Sequence, residues 1–113
     1  MTTQRLDKQS WQEFFDRTAK DAVAKQASVE VASIELGDQI QVSSLPLLGI
    51  TYDPKSQIIE IAMDGVDHLI RKPSEIIVDL EGNSLAAVKI SDADGNDHIV
   101  KLKEPLALPK STR

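Results

Sequence analysis

The chain of 113 residues contains no cysteine. This excludes disulfide bonds, thiolate catalysis and zinc sites built on cysteine. Aromatic residues make up only 4% of the chain, which argues against an exposed surface on which nucleic-acid bases could stack. No apolar run approaches the roughly 20 residues that a membrane-spanning helix needs, and the N-terminus lacks the apolar stretch of a signal peptide. We therefore expect a cytoplasmic protein without a membrane anchor.

Charge and length narrow the function classes further. The net charge of −5 at pH 7 repels a phosphate backbone at long range, which weighs against nucleic-acid binding. Hydrophobic residues make up 41% of the chain and charged residues 27%, as is ordinary for a globular protein. The length suits a single domain, residues 1–113, that buries a core of its own.

An amphipathic helix is predicted near the N-terminus. Ser10 and Glu13 match a capping box, and the apolar positions that follow recur with a period near 3.6 residues. We predict a helix over residues 10–26, preceded by a loose arm over residues 1–9. Its aromatic side chains either bury against a sheet, which we favour, or form an interface with a second subunit. The candidate interface residues are Trp11, Phe14 and Phe15.

After residue 28 the apolar pattern changes to a period of two, which is typical of strands. We predict six or seven short strands over residues 28–104, in a meandering antiparallel sheet that is either open or curled into a small barrel. Residues 105–113 are predicted to form a tail. Residues 66–72 fit either a strand or a short helix. The fold class is therefore α+β, mainly β. Closure would hide the sheet edges, whereas open edges could drive self-association.

Two hairpins are predicted from turn residues and from the pairing of apolar positions. A three-residue loop over residues 37–39 keeps apolar residues opposite one another in the first hairpin. Residues 53–56, with Asp first and Pro second, match a type I turn in the second hairpin. The predicted pairs are Leu36 with Ile40 and Ile34 with Val42 in the first hairpin, and Ile50 with Ile59 and Leu48 with Ile61 in the second.

A third hairpin turns around residues 94–96, and a three-residue loop there sets Lys89 opposite Lys101. Like charges in direct opposition are mildly destabilising. Either the register therefore differs, or these lysines and Lys103 form a candidate anion-binding strip. The alternative, which we favour, is that the lysines protect exposed strands against aggregation.

Two histidines are the main candidates for chemistry. His68 and His98 each lie near acidic residues, and two imidazoles with a carboxylate could form a metal site or a general base. Nothing in their spacing requires the two rings to meet. Residues 92–97 resemble part of a calcium loop, but a hairpin turn explains them better. The sequence carries no nucleophile, phosphate-binding, dinucleotide or zinc-helix motif, so we assign no catalytic residue, cofactor or metal.

Several segments are familiar as sequence. The chain resembles small bacterial proteins that are grouped as a family of unknown function. The resemblance lies in the Trp11 and Phe14–Phe15 pattern and in the segments LGDQ, LPLLGITYDPKSQIIEIAMDG, DHLIRKPSEI and DADG. The resemblance covers nearly the whole chain. It implies a stand-alone bacterial protein, and it carries no functional residue over to this chain.

Three functional hypotheses follow. The leading one is a non-catalytic module of a bacterial cytoplasm that binds a protein partner or a second copy of itself. The second is an anion or RNA binder with an Sm-like shape, in which a helix caps a curved sheet; it rests on fold analogy. The third is a hydrolase or metal site at His68 and His98.

Overall fold

The computed structural model describes residues 2–22, 25–33, 37–82 and 84–107. One helix near the N-terminus is followed by a large antiparallel sheet, which confirms the mainly β class. The elements are β1 (Thr2–Arg5), a 3₁₀ helix (Lys8–Ser10), α1 (Trp11–Ala22), β2 (Gln26–Ser33), β3 (Gly37–Asp53), β4 (Ile58–Met63), β5 (Val66–Arg71), β6 (Pro73–Glu81), β7 (Ser84–Asp92) and β8 (Asp97–Ala107).

The described strands form one sheet in the order β1-β6-β7-β8-β2-β3-β4-β5. The sheet is not closed into a barrel, because β1 and β5 end it on either side. Of the two forms left open by the sequence, the sheet therefore takes the open one, and the described residues form eight strands where six or seven were predicted. Residues 66–72, which fitted a strand or a helix, contribute strand β5.

Strand β3 joins two parts of this sheet. Its first residues, up to Pro46, pair with β2, and its last residues, from Leu47, pair with β4. The part formed by β4 and β5 lies over the part that contains β8, since a side chain of β5 contacts one of β8. Burial alternates strictly along β4, as a strand with one covered face requires.

The aromatic residues of α1 lie mainly in the core of their own chain. Trp11 is 2% exposed and Phe15 1% exposed, whereas Phe14 is only partly buried. The Trp11 ring meets Tyr52 of β3 edge-on, with 5.3 Å between centroids, and its indole N–H donates to the carbonyl of Leu6 at 3.3 Å. The core alternative that we favoured therefore describes Trp11 and Phe15.

The N-terminal region differs from its prediction in three respects. The expected loose arm contains β1, in which Thr2 lies opposite Leu80 of β6, and the 3₁₀ helix. The capping box is replaced, because the Ser10 hydroxyl donates to the carbonyl of Asp7 at 2.7 Å. The described part of the helix runs to Ala22, and Gln26, where the helix was predicted to end, lies in β2. Residues 23 and 24 lie outside the described residues.

The second hairpin is shifted by two residues from the predicted register. Ile50 lies opposite Ile61, and Tyr52 lies opposite Ile59. The carboxylate of Asp53 accepts hydrogen bonds from the loop that follows, and the amide of Gln57 donates to the Asp53 carbonyl at 2.8 Å. These bonds move the loop one residue along the chain. A two-residue shift keeps every apolar side chain on its face, which is why the pattern could not reveal it.

The first hairpin is also paired differently. Ser33 lies opposite Gly37 and Glu30 opposite Ile40, so the predicted pairing of Ile40 with Leu36 is wrong. Irregularities between Ala27 and Glu30 shift the register along β2. Residues 34–36 themselves lie outside the described residues.

The last strand runs further than predicted. β8 continues through Pro105 to Ala107, although the sequence placed the start of the tail at residue 105. A register shift between Leu85 and Ala87 of the neighbouring strand accompanies this extension. Such a bulge is a common way to accommodate a residue without an amide proton. Residues 108–113 lie outside the described residues.

Candidate functional site

Three polar side chains form a hydrogen-bonded chain at the rim of the core; we call Asp92, His98 and His68 the polar triad. Oδ2 of Asp92 lies 2.9 Å from Nε2 of His98. Nδ1 of His98 lies 2.9 Å from Nε2 of His68. Three of the four imidazole nitrogens are therefore engaged within the polar triad, and Nδ1 of His68 is the nitrogen outside it.

Strand alternation explains why both histidines point inward. His98 lies opposite Ile90 of β7, and two positions later in β8 comes the buried Val100. His68 lies opposite Ile61 of β4, which is fully buried. Each ring thus occupies a core-facing position of its strand. The rings meet because the β4–β5 part of the sheet lies over β8, which no spacing in the sequence reveals.

The carboxylate of Asp92 organises the turn between β7 and β8. Its Oδ1 accepts the amides of Asp94 and Asn96 at 2.9 and 3.0 Å, and its Oδ2 accepts the Asn96 side-chain amide at 3.3 Å as well as His98. Burial raises the pKa of Asp92, but these hydrogen bonds outweigh it and hold the pKa below the usual 3.8. Asp92 is therefore a charged acceptor at neutral pH.

The same turn is the segment that resembles part of a calcium loop. Residues 92–97 form a hairpin turn whose carboxylate binds its own backbone, as the favoured interpretation predicts. Among the residues that the structure describes, no group of three or more histidine, aspartate and glutamate side chains could hold a metal ion. The hypothesis of a metal site or hydrolase at His68 and His98 requires the rings to meet. They do, but their facing nitrogens are bonded to each other.

The two rings differ in their surroundings. The side chain of His98 is 9% exposed, whereas His68 is half-buried. Burial, and then the neighbouring His98, lower the pKa of His68 below the usual 6.5. His68 is therefore mostly neutral at pH 7. Between the facing nitrogens there is room for one proton, since one nitrogen must donate and the other accept.

The lysines of the proposed anion-binding strip are not opposed as predicted. Lys89 lies opposite Ile99, and Lys101 lies opposite Ala87. Ile99 takes the position opposite Lys89 where Lys101 was predicted, so the register is shifted by two residues. Together with Lys103, these lysines lie on the outer face of the sheet, where Nζ of Lys101 is 3.6 Å from a carboxylate oxygen of Glu30.

Strand β5 has an open edge that the sequence did not identify. A two-residue turn precedes β5, and its first flanking pair is Met63 with Val66. In such a hairpin this pair is hydrogen-bonded, so the backbone groups of every second residue from Val66 onwards bond to β4. The amide of Lys72, in the same alternation, donates to the carbonyl of Gln57 at 2.8 Å. The backbone groups of the intervening residues therefore point away from the sheet. These residues define the open edge, and their side chains are exposed: Asp67, Leu69 and Arg71.

The two ends of the sheet are unlike each other. β1 is only four residues long, and its exposed residues are all polar or charged. Short polar strands are one of the ways in which proteins blunt a sheet edge. The open edge of β5 instead carries Leu69, which is 47% exposed. A free edge with an exposed apolar side chain is suited to pairing with another strand.

The comparisons with known proteins agree with the resemblance seen in the sequence. A model of a family of unknown function (DUF5335) matches residues 2–111. An uncharacterized protein of Aquifex aeolicus (strain VF5) is 36% identical over 111 residues, covering 97% of this chain and 100% of the relative. No solved structure matches. In the described part of the chain, no helix is long and apolar enough to cross a membrane.

Replacement of the central acceptor tests the polar triad. We expect Asp92→Asn to lower the free energy of unfolding by about 1–3 kcal/mol at pH 7, because its NH₂ group would face the His98 and Asn96 donors that Oδ2 accepts. Urea denaturation measures this. Because the pKa of Asp92 is lowered, its contribution is present above pH 3.8 and is lost as the pH falls below that value.

The matched control is Asp94→Asn, since Asp94 lies in the same turn with an exposed side chain. It changes the same formal charge and should leave the stability nearly unchanged. Equal losses in the two variants would show that the Asp92 hydrogen bonds contribute nothing specific.

Proposed function

Since the chain belongs to a family of unknown function, DUF5335, we propose a function from its structure: it is a non-catalytic module that self-associates through β5. The single observation that carries this proposal is the open edge, which pairs with no other described strand and is complementary to itself. We place the module in a bacterial cytoplasm, as proposed from the sequence; the relative from Aquifex aeolicus supports a bacterial origin.

The open edge is self-complementary in one antiparallel register. When Leu69 lies opposite Leu69 of a second copy, Asp67 lies opposite Arg71 of that copy, and the reverse pair follows by the twofold symmetry. In this register, the backbone groups of all three open-edge residues form hydrogen bonds with those of the second copy. A slip by one residue would set residues whose backbone groups point away from β4 opposite residues whose groups point toward it, and the hydrogen bonds could not form. A register that pairs Asp67 with Asp67 would set like charges opposite each other.

The size of this contact sets the expected strength. Three hydrogen-bonded residue pairs add about six backbone hydrogen bonds, each with a net contribution of roughly 0.5–1.5 kcal/mol. The exposed ion pairs contribute at most about 1 kcal/mol each. One strand pair buries less than the roughly 800 Å² per partner of a standard interface. We therefore expect a reversible dimer, not an obligate one.

The aromatic residues of α1 are less suited to this role. Of the three that the sequence nominated for an interface, only Phe14 keeps exposed surface, because Trp11 and Phe15 are buried in their own chain. We therefore place self-association on β5 instead of α1.

Charge placed on the open edge should prevent the dimer. We expect Leu69→Lys to shift the protein to a monomer, because it sets two ammonium groups opposite each other where two leucines were paired. Sedimentation velocity over a concentration series measures the change. Leu48→Lys is the matched control, since Leu48 is 53% exposed but belongs to the interior strand β3. Equal weakening by both changes would contradict edge pairing.

A charge exchange tests the register. Asp67→Arg alone, or Arg71→Asp alone, opposes like charges across the dimer axis, so each single variant should weaken the dimer. The double variant restores opposite charges and should regain most of the wild-type association, more clearly at low salt because the pairs are exposed. A double variant as weak as the singles would rule out this register.

A second candidate function, anion or RNA binding, is favoured by one observation: Lys89, Lys101 and Lys103 share the outer face of the sheet. Glu30 beside Lys101 reduces the positive potential there. We propose weak, salt-dependent binding at most, since exposed charges act over about 10 Å at 0.1 M salt.

Replacement of these three lysines by alanine should remove any binding of a single-stranded RNA at low salt, measured by fluorescence anisotropy. Lys55→Ala is the control, because Lys55 is exposed in a turn away from this face. No binding by the wild-type protein at low salt would end this candidate.

A further inference from the structure

We propose that the polar triad is an acid-sensitive latch, which holds β5 against the turn between β7 and β8 until both imidazole rings are protonated. The latch acts within the folded monomer and does not depend on self-association. It follows from the number of protons that the hydrogen-bonded chain can hold.

In the neutral state, Nε2–H of His68 donates to Nδ1 of His98, and Nε2–H of His98 donates to Asp92. One added proton can be accommodated: His98 then donates from both nitrogens, Nε2 of His68 accepts, and the proton of His68 moves to its Nδ1. The charge of the pair is +1 and lies beside the carboxylate. Every hydrogen bond of the polar triad survives this step.

A second added proton breaks the chain. Both facing nitrogens then carry hydrogen and neither can accept, although they lie 2.9 Å apart. Two positive rings with centroids 5.1 Å apart also repel each other, and one carboxylate offsets only one of the charges. Because His68 is only half-buried, its ring can turn outward into water, and the contact between β5 and β8 is lost.

Among the residues that the structure describes, no acidic side chain lies directly opposite either ring. The residues directly opposite the two rings on the adjoining strands are apolar. Glu60 of β4, Glu30 of β2 and Lys89 of β7 occupy alternate positions that face the opposite side of the sheet, as do Asp67 and Arg71 of β5. In the turn, Asp97 accepts the Ser91 hydroxyl at 2.7 Å, and Asp94 is exposed. The opposed apolar residues are Ile61, Val31 and Ile90.

The release is local, because the end of β5 is also held by backbone hydrogen bonds that do not titrate. The amide of Ala93 donates to the carbonyl of Lys72 at 3.0 Å, and the amide of Lys72 donates to Gln57. These bonds keep the start of β6 beside the turn. The ring contact joins β5 to β8, so acid should loosen the packing of β5 on β8 first, while the pairing of β5 with β4 remains.

The direction of the pH effect follows from His68. Its pKa is lowered in the folded protein, so the unfolded chain binds more protons as the pH falls below 6.5. The stability that depends on neutral His68 is therefore fully present above pH 6.5 and decreases below it. The loss due to Asp92 occurs at lower pH, below 3.8, so the two effects are separated along the pH axis.

The first test uses the wild-type protein and imidazole ¹⁵N NMR between pH 8 and pH 4.5. We expect the nuclear Overhauser effect between the two rings to persist while the pair holds one added proton and to disappear when it takes a second. A ring contact that persists after both rings are protonated would overturn the latch.

The second test compares His68→Gln with wild type. The glutamine amide can donate to Nδ1 of His98 but cannot take a proton, so the decrease in stability between pH 7 and pH 5 should be lost in the variant. Asp64→Asn is the matched control, because Asp64 is exposed in the turn before β5 and belongs neither to the polar triad nor to the open edge, and it should keep the wild-type decrease. The same decrease in His68→Gln as in wild type would contradict the proposal.

Discussion

Aliphatic side chains buried between the two parts of one sheet are the contact on which the rest of this molecule depends. Ile59 and Ile61 of β4 and Ile76 and Ile90 of β6 and β7 have no exposed surface. Burial of one such side chain contributes roughly 1.5–3 kcal/mol. The parts can face each other because β3 pairs with β2 along its first residues and with β4 along its last, and α1 packs against β3.

This packing explains where the polar triad lies. His68 and His98 occupy core-facing positions at the rim of the core. The core-facing positions further inside are occupied by isoleucine and valine. Buried imidazoles need partners, and each ring finds one in the other. The carboxylate of Asp92 completes the chain and also binds the turn. A single cluster of hydrogen bonds thus shapes the turn between β7 and β8 and connects β5 to β8 across the core.

The same arrangement leaves one end of the sheet unprotected. β1 ends the sheet as a short polar strand, and β5 ends it with Leu69 exposed between two residues of opposite charge. A closed barrel would have removed both edges. Since the polar triad holds the inner face of β5 while its outer edge stays open, the strand is fixed on one side and available on the other. This combination is the one on which the proposal of self-association rests.

The sequence by itself determined the elements whose signal is local: the helix with Trp11 and Phe15 on its buried face, the strands with period two, and the turns rich in Gly, Asp and Pro. It did not determine registers, because a shift by two residues, as at Ile50, leaves each side chain on the same face. The approach of His68 to His98, 30 residues apart in the chain, and the open edge of β5 were decided by the tertiary structure. The physical reason is that both depend on how the parts of the sheet pack across β3, and strand periodicity carries no information about which strands become neighbours in space.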